Sequence, residues 1–214
     1  MSKNKQSIKF YKSLAMNVTD AKILKFSNDN THYDVDFIRL FSKRYQSLLD
    51  FGSGTGLIIN KLSKDFRDIT AVELFKEFSD YISGENIQIY NENLINFFIE
   101  KKFGIATMFG TAHYFNEKES LNIYKNIYSM LGDNSVFILK NQFGVEETKT
   151  VTGSEALGKE YFAQYRFIDY EIKRLGSVGF KNIVAHDIYP AKENKWKDTH
   201  FYALVCEKLS NEPR

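Results

Sequence analysis

The feature that most limits how this chain can fold is an alternation of short apolar runs with segments of helical periodicity. "SLLDF" (47–51), "DITAVEL" (68–74), "NIQIY" (86–90), "FGIATMF" (103–109) and "SVFILK" (135–140) have the length and residue types of buried strands. Between and before them lie helical stretches. Phe37, Leu40 and Phe41 are spaced for one helix in "DVDFIRLFSKRY" (34–45), and Leu57, Ile58, Lys61 and Leu62 for another. Further helices are expected near 75–82 and 117–131, with an amphipathic segment at "LINFFIEK". Parallel strands need long crossovers, and helices supply them. The expected fold class is α/β, a Rossmann-like doubly wound sheet, mostly parallel, with helices on both faces.

Beyond Lys140 the pattern changes. A polar stretch from Asn141 to about Gln164 precedes a helix in "RFIDYEIKRLGSVGF", and two strands follow, "NIVAHDIYP" and "THFYALVCEK". These two are expected to pair antiparallel at the sheet edge. The 214 residues, 43% of them hydrophobic, suffice for one substantial domain.

Charge and cysteine usage limit the partners. Lys+Arg 29 against Asp+Glu 27 leaves a formal charge of +2, with no overall basic field to draw in nucleic acid. Cys206 is the single cysteine, so no intramolecular disulfide forms and a reducing compartment fits. No run reaches the length of a membrane span and the N-terminus has no apolar core of a signal peptide. These features predict a cytoplasmic protein without a membrane partner.

Gly52, Gly54 and Gly56 follow the first strand, with Ser53 between them and Asp50 just before. A backbone without side chains at alternate positions lets a ligand approach closely, and in doubly wound sheets ligands bind at such a strand-to-helix turn. A dinucleotide fingerprint would need a third glycine where Leu57 stands.

The spacing D-x-G-x-G-x-G resembles motif I of class I S-adenosylmethionine-dependent methyltransferases. The resemblance spans about residues 35–208. It implies S-adenosyl-L-methionine as cofactor and S-adenosyl-L-homocysteine as product. It further implies that Glu73, ending the second strand, takes the ribose hydroxyls, and that Leu74 lies on the adenine face. Asn93 and Leu94 stand where the family usually carries an acidic residue and an apolar one at the adenine edge. Phe109, closing the fourth strand, completes the expected cofactor set of Asp50, Gly52, Ser53, Gly54, Gly56, Glu73, Leu74, Asn93 and Leu94. Residues 1–34 are the candidate for the flap that closes over the cofactor in many members, a point the sequence does not decide.

Methyl transfer from a sulfonium requires an aligned nucleophile and, for a hydroxyl, removal of a proton. Nucleic-acid amino-methyltransferases carry an Asn or Asp, two prolines and an aromatic after the fourth strand; here the segment reads "GTAHYF". It also lacks the carboxylates of metal-dependent relatives, so no metal is expected. His113 is the nearby side chain whose ordinary pKa suits a general base, and it reads equally as a loop or capping histidine. Residues of about 141–166 form a lid-like insertion, with a short helix expected around Tyr161, Phe162 and Tyr165. Asn141, Tyr161, Tyr165 and Arg166 are candidate acceptor contacts, Arg166 by bidentate recognition of phosphate or carboxylate. Trp196 and His200 are placed across the mouth, Trp196 either stacking on an acceptor or packing on its own hairpin.

The stretches "NQFGVEETKTVTGSEALGKEYFAQYR" and "DIYPAKENKWKDTHFYAL" are similar to small bacterial methyltransferases linked to surface-glycan or capsule modification. That similarity implies O-methylation of a sugar, a sugar phosphate or a glycan precursor. The alternatives are N-methylation of a small amine or a nucleic-acid base, and a non-catalytic methyltransferase-like subunit. A nucleotide-dependent oxidoreductase is opposed by Leu57.

Overall fold

The computed structural model describes residues 3–16, 29–43, 45–154, 158–194 and 197–210. Nine strands and six α-helices are assigned among them. The parallel core forms from the five apolar runs, as β1 (Ser47–Phe51), β2 (Asp68–Val72), β3 (Ile87–Tyr90), β4 (Phe103–Phe109) and β5 (Leu131–Gly144). Every β1 residue is buried, as a central strand covered on both faces must be. The hairpin of β8 (Lys181–His186) and β9 (Thr199–Lys208) completes a seven-stranded sheet in the order β3-β2-β1-β4-β5-β9-β8. β9 runs antiparallel to β5 from Ser135↔Lys208 to Gly144↔Thr199, so β9 lies inside the sheet and β8 forms its edge.

Helices cover both faces. On one, α2 (Thr31–Phe41) and the single turn α3 (Ile59–Leu62) pack Val35, Ile38, Ile59 and Leu62 against Leu48, Ile105 and Ile138. On the other, α5 (Glu117–Met130) and α6 (Ile168–Val178) pack Ile123, Ile127 and Leu175 against Ala106, Phe137 and Leu139. α5 starts with a capping box: Asn116 accepts from the Glu119 amide at 2.9 Å and Glu119 Oε2 accepts from the Asn116 amide at 3.0 Å. α4 is one turn, Lys76–Ser79. The helix expected over 34–45 begins three residues earlier, at Thr31, and ends at Phe41. "LINFFIEK" forms no regular element; Phe97 is buried from it while Phe98 faces solvent.

The insertion departs from expectation. No helix forms at Tyr161–Tyr165; β7 (Gly158–Tyr165) pairs antiparallel with β6 (Lys149–Ser154) in a separate two-stranded sheet. Tyr161 and Tyr165, four apart, share a face in a helix and in a strand alike, and here the partner decides, because Val151 and Thr152 lie opposite Ala163 and Phe162. The N-terminal helix α1 (Lys3–Ala15) packs on β7 and on the turn after β4, with Phe10 against Tyr161 and Tyr11 against Tyr114 at ring distances of 5.5 and 4.9 Å. No helix of the described residues is long and apolar enough to cross a membrane.

Candidate active site

Two adjoining cavities of about 320 and 410 Å³ open at the carboxyl ends of β1, β2, β4 and β5. Tyr11, Gly52, Thr55, Phe109, Gly110 and Tyr114 line both, so the two cavities adjoin over the glycine turn. The first cavity takes in Gly52, Gly54, Glu73, Leu74, Asn93, Leu94 and Phe109 from the expected cofactor set. Asp50 and Ser53 line the second. Gly56 lines neither: an added Cβ would meet Asn60 Oδ1 at 2.7 Å and Ile82 at 3.0 Å, so this glycine serves the packing of the turn on its neighbours.

The turn is held by the residue expected to read the ligand. Glu73 Oε2 accepts from the Gly54 amide at 2.9 Å and Oε1 from the Phe75 amide at 3.0 Å, which fixes the carboxylate at the cavity wall. Asp50 is buried, accepts from Thr107 Oγ1 at 2.6 Å, and has its pKa raised by burial. Gly52 and Gly110 have φ of +79° and +64°. Nothing stands within 4 Å of where a Gly110 Cβ would be, so a side chain there would enter the cavities. Thr55 Oγ1, in the same turn, is buried without a hydrogen-bond partner among the described residues. An open cradle, a fixed carboxylate and an apolar slot of Leu74, Phe75, Phe78 and Leu94 fit a nucleoside bearing a polar tail.

The second cavity is more polar than the first. Asp29, Asp34, Asp50 and Glu193 line it against one lysine, Lys140. Lys140 Nζ donates to both Asp34 oxygens at 3.1 and 2.9 Å, and the Tyr189 hydroxyl donates to Asp34 Oδ1 at 2.8 Å. Burial beside the Asp34 carboxylate keeps the Tyr189 phenol protonated far above its usual range. Sequence reasoning missed this cluster, although a lysine closing the apolar run "SVFILK" was a legible sign.

The acceptor candidates scatter. Tyr161 lines the first cavity, and its hydroxyl is 3.3 Å from that of Tyr165, which lines neither cavity. Arg166 is not at the mouth: it is 1% exposed, bound to Glu171 at 2.8 Å and to the carbonyls of Ala112 and Phe115 at 3.1 and 3.0 Å. An anion cannot reach it, so its expected grip on phosphate or carboxylate is withdrawn. Asn141 is buried and its Oδ1 accepts from His113 Nδ1 at 2.7 Å. His113 lies behind Tyr114, outside both linings, and burial pushes its pKa down to about 4, with the Arg166 charge acting the same way. His200 stacks on Tyr202 and pairs with Asp187 at 2.9 Å, away from both cavities. Trp196 lies outside the described residues. In the first cavity the residues not foreseen come mostly from α1, including Ile8, Phe10 and Leu14, and from the turn after β4.

The strand order, the antiparallel β9 and the glycine turn against an acidic residue after β2 are the architecture of class I S-adenosylmethionine-dependent methyltransferases, and this chain has that fold. No protein-family model matches the sequence, and no curated protein matches it. Among solved structures it is similar to a DhpI–SAH complex, at 14% identity and TM-score 0.75, covering 99% of this chain and 98% of the other. It is also similar to Burkholderia thailandensis 1,6-didemethyltoxoflavin-N1-methyltransferase with bound 1,6-didemethyltoxoflavin and S-adenosylhomocysteine, at 14% identity, TM-score 0.74 and coverage of 97% and 88%. A TehB-like S-adenosylmethionine-dependent methyltransferase from Corynebacterium glutamicum follows at 19% identity, TM-score 0.67 and coverage of 92% and 98%.

Proposed function

We propose that this protein transfers a methyl group from S-adenosylmethionine to an oxygen of a small, uncharged polar acceptor. The observation that carries the reading is the pair of adjoining cavities that share Gly52 and Gly110, of which the first has the lining a nucleoside requires. Glu73, Leu74, Asn93 and Leu94 would hold the adenosine, and Asp50, Gly52 and Ser53 the amino-acid end. When bound, the cofactor supplies an electrophilic methyl on a sulfonium.

The chain's own residues supply alignment and exclusion of water. α1 covers the first cavity with Ile8, Phe10, Tyr11 and Leu14, and burial raises the Tyr11 pKa to about 12, so its hydroxyl stays protonated at neutral pH. The cofactor's amino-acid end would reach the second cavity at Asp50 and Ser53, and the acceptor is assigned to the rest of it, where the Thr31 and Tyr189 hydroxyls and the Asp29, Asp34 and Glu193 carboxylates suit a polyol such as a sugar. Asp34 and Asp29 are paired with Lys140 and Lys61, so among the described lining residues no cation is left over to grip a phosphorylated or carboxylated acceptor, and Glu193 opposes one. His113, with a pKa near 4 and its Nδ1 proton given to Asn141, is a weak base at neutrality. We therefore assign it a neutral supporting role behind Tyr114. The same carboxylates favour a second reading, N-methylation of a small amine, which a cation-accepting wall would serve equally.

The test is calorimetry with S-adenosylmethionine and S-adenosylhomocysteine on the wild type and Glu73→Ala, followed by labelled-methyl transfer to neutral sugars, sugar phosphates and amines. Binding that collapses in E73A, with label entering neutral sugars, is expected. Label entering amines alone moves the assignment to N-methylation, and absence of binding in folded protein refutes the enzyme reading.

A further inference from the structure

We infer that Arg166 is a positioning residue: from the foot of the β6–β7 hairpin its guanidinium fixes the turn that carries Tyr114 and Phe115 into the cavity. The inference rests on the proposed function only for the identity of the ligand in that cavity.

Within the turn two backbone hydrogen bonds form, and besides Arg166 the His113 ring ties its middle to Asn141 at 2.7 Å, while the carbonyls at both ends accept from the guanidinium. Residues Ala112–Tyr114 make one 3-10 turn, closed by Tyr114 N to Thr111 O at 3.2 Å and Phe115 N to Ala112 O at 3.3 Å. Arg166 Nη2 donates to the Ala112 carbonyl at 3.1 Å and Nη1 to the Phe115 carbonyl at 3.0 Å, one at each end of the turn. Its Nε donates to Glu171 Oε2 at 2.8 Å, which fixes the plane of the fork against α6. Glu171 in turn accepts from Arg174 at 2.8 Å and from the Tyr124 hydroxyl.

The main chain of Arg166 joins this network to the insertion. Its carbonyl accepts from the Gly144 amide at 2.9 Å, where β5 ends, and the next amide, of Phe167, donates to Thr148 Oγ1 at 3.0 Å. One residue therefore closes the base of the hairpin and spans the active-site turn. Stability alone is a poor explanation for two arginines on one buried carboxylate, since apolar replacements of such clusters are often as stable. A lysine cannot replace the arginine, because a single ammonium cannot reach two carbonyls and a carboxylate with the geometry of a planar fork.

The experiment compares Arg166→Lys with Glu171→Gln, the latter retaining the donors to Ala112 and Phe115. Both are measured for thermal stability, for S-adenosylhomocysteine affinity by calorimetry, and for exchange of the Tyr114 and Phe115 amides. R166K is expected to bind about tenfold more weakly or worse, the equivalent of one lost charge-assisted hydrogen bond, with faster exchange at both amides. E171Q is expected to lose stability and bind within about twofold of the wild type, by the same conversion. If R166K does not fold, R166Q/E171Q must show the same loss relative to E171Q. R166K binding as tightly as the wild type overturns the inference, and so do losses of affinity that track stability equally in both variants. A wild type that binds no S-adenosylhomocysteine defeats the proposed function, while amide exchange still decides the role of Arg166.

Discussion

Gly52→Ala tests whether the glycine turn is fixed by close packing against the turn after β4. The backbone at Gly52 has φ +79°, a conformation that costs a residue with a Cβ about 1–2 kcal/mol. The added carbon would stand 2.5 Å from Thr111 Oγ1, 2.8 Å from its Cγ2 and 3.1 Å from its Cβ. Relieving that overlap moves Thr111, whose Oγ1 donates to the Phe109 carbonyl at 3.0 Å, and overpacking of this kind costs about 1–3 kcal/mol. The expected total is about 2–5 kcal/mol. Thr111→Ala removes the two closest atoms and by itself loses one hydrogen bond, about 1 kcal/mol. In the double variant the backbone cost persists and the overlap is relieved. A double-mutant cycle by urea unfolding is therefore expected to give a coupling of about 1–3 kcal/mol, with unchanged m-values. Additivity to within about 0.5 kcal/mol would mean that the two turns do not press on each other, and the reasoning fails.

Three further outcomes are expected. Gly110→Ala has the same backbone cost of about 1–2 kcal/mol but meets nothing within 4 Å, so S-adenosylhomocysteine affinity should fall by more than the small change in stability accounts for; unchanged affinity would remove Gly110 from the cavity wall. His113 has its folded-state pKa depressed to about 4, so its stabilising contribution is complete above its ordinary pKa of 6.5 and is lost as pH falls toward 4. Between pH 6.5 and 5 that is about 2 kcal/mol, and urea unfolding of His113→Gln at both pH values should lack that part of the acid slope. Lys140→Met leaves the buried Asp34 carboxylate without its cation and should cost about 3–5 kcal/mol, whereas K140M/D34N should recover much of the loss; equal losses in both would show the pair to be uncoupled.

The parts of the molecule legible in the sequence are those whose determinants are local. β1, β2 and β4 are apolar runs within three residues of their assigned bounds, and the positive-φ turn announces itself through alternating glycines. Glu73 sits one residue past the end of β2, where strand length alone puts it at the sheet's edge and in the cavity. α5 carries its own start signal in "NEKE", and the capping box forms at Asn116 and Glu119. In each case a segment of ten residues or fewer contains the physical reason for its conformation.

The second cavity was less legible because it is assembled from segments far apart in the chain. Lys140, Asp34 and Tyr189 meet across 106 and 155 residues, and no local pattern marks an aspartate in "THYDVDF" as the partner of a lysine inside β5. Arg166 shows the same limit from the opposite side. Beside two tyrosines an arginine looks like an anion grip, yet a guanidinium is also the side chain best shaped to satisfy several buried carbonyls at once. The choice turned on Glu171, five residues on, which gives the buried charge its partner once α6 brings it back under β7. The readable signal was therefore the pair: an arginine followed by an acidic residue in the first turn of an amphipathic helix is placed for an inward ion pair, and an anion site needs an arginine without one.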